Sequence, residues 1–164
     1  MTTIGAIPFD LLRHHLDQGD AEPVWAIEFP ATGAPKAWAA PAGALTPLDL
    51  LQFAARAITA DCDHATLEPV WSGVIMTTPW MFMRCPIDTI EDINAAHPLN
   101  KGATAFVRSV EHRPCPCSWY GSMVFAPRRD RARNGDLAPI DVAALRAAID
   151  TYSVYNTSEH GQEM

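Results

Sequence analysis

The stretch Ala103–Pro127, ATAFVRSVEHRPCPCSWYGSMVFAP, decides how the rest of the chain is read. Ala105, Val107, Ser109 and Glu111 alternate with Thr104, Phe106, Arg108 and Val110, and this period of two predicts a half-buried strand over Thr104–Glu111. A second strand is predicted over Ser118–Ala126, which is rich in Trp, Tyr, Val and Phe, residues suited to a pleated and mostly buried surface. The Pro-Cys-Pro-Cys corner at Pro114–Cys117 would join the two as a stiff hairpin.

Outward from this hairpin, four segments begin alike: Pro8-Phe9-Asp10, Pro47-Leu48-Asp49, Pro86-Ile87-Asp88 and Pro139-Ile140-Asp141. Proline suits the first helical position, where its missing N–H loses nothing, and an Asp two residues later lies near the positive end of the helix dipole. Thr46 adds a good N-cap before the second segment. Each triplet is followed by apolar residues at helical spacing, which predicts helices at about 8–18, 47–60, 86–96 and 139–153. Between them the period changes. Extended runs at Pro23–Phe29 and Lys36–Ala40 flank the turn sequence PATGAP, and Leu67–Met76 and Trp80–Arg84 flank Thr77-Thr78-Pro79.

The element order is then αββ three times with a closing helix, and Glu-Pro-Val-Trp occurs at both Glu22–Trp25 and Glu68–Trp71. Such a period can mark an internal αββ repeat, although short matches also arise wherever helices start well. The expected class is α+β: a mainly antiparallel sheet of about six strands with helices packed on one face. Residues 1–155 read as a single domain, and the polar residues 156–164 as a flexible tail.

Composition narrows the function classes. With 48% hydrophobic and 19% charged residues the chain is globular rather than disordered. A net charge of −7 argues against a surface that grips nucleic acid or an anionic membrane as a whole. The start, MTTIGAIPFDLL, has no cationic region before Asp10 and does not read as a secretory leader, and no apolar run approaches bilayer-spanning length. The expectation is a cytoplasmic protein with reduced cysteines.

Three places could carry chemistry. Cys62, His64, Cys115 and Cys117, with His112 as a substitute, supply the thiolate and imidazole donors of a tetrahedral zinc site. The plainer reading is small, partly buried thiols in a proline-stiffened turn, since neither pair has the spacing of a zinc knuckle. The same corner allows a catalytic thiol at Cys115, but His112 and Arg113 would point to opposite faces of a regular strand. The run Arg128, Arg129, Arg131 and Arg133 suits a phosphate or carboxylate partner, or is a solvated loop before the turn Asn134-Gly135-Asp136.

Third, Trp80, Phe82 and Arg84 share one face of their strand while Met81 and Met83 share the other, so both faces need a cover. With Trp119 and Tyr120 they form a candidate contact surface for a second copy, another protein or a small apolar ligand. The leading expectation is a small binding or regulatory protein acting through that sheet surface. The alternatives are a small enzyme or accessory subunit with a Cys/His site near His112–Cys117, and a nucleic-acid-binding regulator, which the acidity disfavours. No glycine-rich phosphate loop, G-x-S-x-G or H-E-x-x-H is present.

Overall fold

The computed structural model describes residues 4–30, 33–41, 45–59, 71–74, 80–84, 99–111, 119–127 and 139–162. Their strands are β1 (Gly5–Pro8), β2 (Val24–Phe29), β3 (Lys36–Ala39), β4 (Trp71–Val74), β5 (Trp80–Arg84) and β6 (Met123–Pro127). Their helices are α1 (Phe9–Gln18), α2 (Pro47–Thr59), α3 (Lys101–Glu111) and α4 (Val142–Gln162). The strands lie in one sheet in the order β1-β3-β2-β6-β5-β4, and every neighbouring pair is antiparallel. The class is α+β, with β6, from late in the chain, inserted between the β2–β3 and β4–β5 pairs.

β2, β3, β5 and β6 present alternate side chains to two different cores. Ile27, Phe29, Trp80, Phe82, Met123 and Phe125 point to the face covered by α1, α3 and α4. Ala26, Trp38, Met83, Val124 and Ala126 point to the opposite face, where Leu50, Ala54 and Ile58 of α2 cover them. The expectation of helices on one face is therefore corrected. Leu50, Ala54 and Ile58 recur every four residues, so α2 has an apolar stripe of its own and buries it on the sheet's second side. At about 1.5–3 kcal/mol for each large apolar side chain buried, this contact outweighs leaving the stripe in water.

The expected strand at Thr104–Glu111 is also corrected, for this segment is the helix α3. Its residues fit both periods, and the three that decide are Ala103, Phe106 and Val107, which at i, i+3 and i+4 are buried together. Asn100 sets the start of the helix. Its Oδ1 accepts from the Ala103 N–H at 2.9 Å, and its carbonyl accepts from the Thr104 N–H at 3.1 Å. The first strand expected for the third αββ unit is thus replaced by α3: among the described residues α1-β2-β3 and α2-β4-β5 keep that order, and α3 is followed by β6. The expected helix at 86–96 and the Pro-Cys-Pro-Cys corner lie outside the described residues.

Other boundaries follow local chemistry. Thr46 and Asp49 form a reciprocal capping box at the start of α2: the Asp49 N–H donates to Thr46 Oγ1 at 3.2 Å and the Thr46 N–H donates to Asp49 Oδ2 at 3.1 Å. α1 starts at Phe9, one residue after the expected proline, because Pro8 is the last residue of β1, a strand not anticipated from the sequence. Gly19 ends α1 in the left-handed region at φ 76°, where its N–H donates to the Leu16 carbonyl at 3.2 Å. α4 continues to Gln162, beyond Asn156 where the polar tail was expected to begin. Among the described residues no helix is long and apolar enough to cross a membrane.

Candidate ligand groove

The proposed contact residues of β5 divide by position. Trp80 and Phe82 are buried in the core beneath α3, with Trp80 edge-on to Phe106 at 5.2 Å and Phe82 edge-on to Trp119 at 5.1 Å. Arg84 lays its guanidinium over the Trp119 ring at 5.3 Å, and partial burial pulls its pKa below the ordinary arginine value while leaving it cationic. Tyr120 makes a backbone bridge to Leu99, next to the Asn100 cap. The opposite face of β5, for which the sequence predicts a cover, is covered by α2 of the same chain.

Cys62, His64, His112, Cys115 and Cys117 all lie outside the described residues, as do Arg128, Arg129 and Arg131. Among the described residues no group of three or more His, Cys, Asp or Glu side chains could hold a metal ion.

A different site emerges at the junction of α1, β2 and α4. Arg13 pairs with Asp150 at 2.8 Å and Asp17 pairs with Arg146 at 3.1 Å, so α1 and α4 run antiparallel and the end of one meets the start of the other. After Gly19 stops α1, the chain passes through Glu22 and Pro23 into β2. The Ile140 N–H donates to the Val24 carbonyl at 2.7 Å and holds the entry of α4 against this segment. Beside it, the β2–β3 register shifts between Val24 and Ala26. This bulge turns Trp25 into a separate small core with Ala40 and Leu45, and Trp25 Nε1 donates to the Ala40 carbonyl at 3.3 Å.

These constraints leave a groove of about 320 Å³ open to solvent. Leu16, Pro23, Val24, Ile140, Val142 and Leu145 supply apolar wall, and Glu22 is the one charged residue lining it among the described residues. Val24, Ile140 and Leu145 belong to the main core, so the floor is held by packing; Val142 is 54% exposed at the rim. The sequence reading treats Glu22–Trp25 as a strand entry and Pro139–Asp141 as a helix start. Both carry a proline beside an apolar residue, which marks a fixed chain direction, but nothing local announces that the two segments meet.

Compared with known proteins, the chain matches no family model, no curated protein and no solved structure.

Proposed function

We propose that this chain is a small binding protein whose ligand site is the groove between α1, the entry to β2 and the start of α4. The observation that supports it is a concave, mostly apolar volume of about 320 Å³ floored by core side chains, a size at the lower end of small-ligand pockets. The reading keeps the expected class of a binding protein and moves its surface away from the sheet, whose two faces are occupied by the chain's own helices. A small apolar ligand would gain by displacing water from Leu16, Val24, Ile140 and Val142 without any rearrangement of the core.

The test is titration of the full chain with a neutral apolar fluorophore, alongside Val142→Trp, which fills the groove from an exposed position. Saturable binding at one site, lost in the variant at unchanged unfolding midpoint, is the expected result. Binding that is absent, or that survives Val142→Trp unaltered, removes the proposal.

A second reading, a protein partner or a second copy, draws on α2. Outside the stripe it buries, it carries Leu48 and Leu51, 61% and 45% exposed. Native mass measurement before and after Leu48→Glu tests it; a monomer in both cases counts against the second copy.

A further inference from the structure

We infer that the ligand of this groove joins an apolar body to a positive charge, as a small arylalkyl amine does. This rests on reading the groove as a ligand site and specifies what that site selects. Glu22 is the charged residue lining the groove among the described residues, and it enters none of the ion pairs there.

The charges nearby do not offset it. Arg146, beside Leu145, is engaged by Asp17 at 3.1 Å, and His15, beside Leu16, faces Asp20 at 3.5 Å. Asp141, between the lining residues Ile140 and Val142, is exposed and adds a further negative charge. The rim is therefore acidic around an apolar floor, on a chain whose net charge is −7.

Glu22 is exposed at the edge of the groove, so its carboxylate attracts a cation and repels an anion through a field that water partly screens. An apolar acid of the same shape would meet that repulsion, while a neutral isostere would bind through the floor alone. The groove volume of about 320 Å³ suits a small free molecule better than a long acyl chain.

The experiment compares phenylbutylamine, phenylbutanol and phenylbutyrate by ligand-observed NMR titration against the full chain, Glu22→Gln and Val142→Trp. The amine is expected to bind about fivefold more tightly than the alcohol, as a partly exposed ion pair allows, and the acid most weakly. Glu22→Gln should bring amine and alcohol to parity, and Val142→Trp should abolish all three. Equal binding of amine and alcohol, lost in Val142→Trp, overturns the charge selection and leaves the groove reading standing. An amine preference that survives Glu22→Gln overturns the role given to Glu22, and no binding by any probe overturns both.

Discussion

Asn100 Nδ2 donates to the Phe29 carbonyl at 2.7 Å, tying the residue that caps α3 to the last residue of β2. The same amide nitrogen donates to the Gly121 carbonyl at 2.8 Å, and Asn100 is 1% exposed. Its N–H donates to the Trp119 carbonyl at 2.8 Å, while Thr104 Oγ1 accepts from the Trp119 N–H at 3.0 Å. One side chain thus satisfies a helix start, a strand end and the turn leading into β6.

That arrangement predicts that Asn100→Asp is no milder than Asn100→Ala. The carboxylate could still cap α3, but it would face the Phe29 and Gly121 carbonyls with no proton to give. Two buried acceptors left unmatched at about 1–3 kcal/mol each put either substitution at about 2–6 kcal/mol. Urea unfolding measures this; an Asn100→Asp midpoint equal to the parent's would show that the amide is not oriented as described.

Gly102 sits where α3 meets Phe29, and a Cβ there would lie 2.9 Å from Phe29 Cδ1. Phe29 is 2% exposed and ringed by Phe9, Phe106 and Phe125, so it has little room to yield. Alanine would gain about 1 kcal/mol in helix propensity and lose about 1–3 kcal/mol to overpacking. Gly102→Ala is therefore expected to destabilise the parent but to cost less, or even stabilise, in a Phe29→Leu background. A double-mutant cycle that shows no coupling between the two positions would contradict the contact.

Leu50 and Leu51 are neighbours in sequence with opposite fates, at 1% and 45% exposure. Leu50→Ala should cost about 2–5 kcal/mol, since it empties part of the core between α2 and the sheet. Leu51→Ala should stay within about 0.5 kcal/mol of the parent. Equal effects in denaturant melts would mean that α2 does not lie on the sheet in this orientation.

Tyr152 packs edge-on to Phe9 at 5.7 Å, and its pKa is raised above the ordinary 10.0, first by burial and then by the charge of Asp10. Above pH 10.0 the unfolded chain loses the phenolic proton while the folded chain still holds it. The unfolded state then binds fewer protons, so this contribution, complete below that pH, is lost as pH rises through the folded value. Spectroscopic titration of the phenolate should show Tyr152 ionising late, and Asp10→Asn should bring it part of the way back. A Tyr152 that titrates at its ordinary value would remove both causes.

Local chemistry in the sequence determined much of the frame. The Thr46–Asp49 box, the period of four in α2 and the alternation of Trp80–Arg84 each rest on neighbours a few residues apart, and each corresponds to an element in the fold. Even the demand for a cover on both faces of β5 was legible, because Trp80 and Phe82 on one pleat and Met81 and Met83 on the other are apolar. Only the tertiary structure decided what supplied that cover, since Leu50, Ala54 and Ile58 fit a helix on either side of the sheet. It likewise decided that Ala103–Val107 is helical. Two periods fit those residues equally well, and the choice fell to the joint burial of Ala103, Phe106 and Val107, in a helix whose start Asn100 fixes through bonds to Phe29 and Gly121, far from it in the chain. The groove belongs to the same class. Its walls meet through the Ile140–Val24 hydrogen bond, a contact between distant segments that no local pattern encodes.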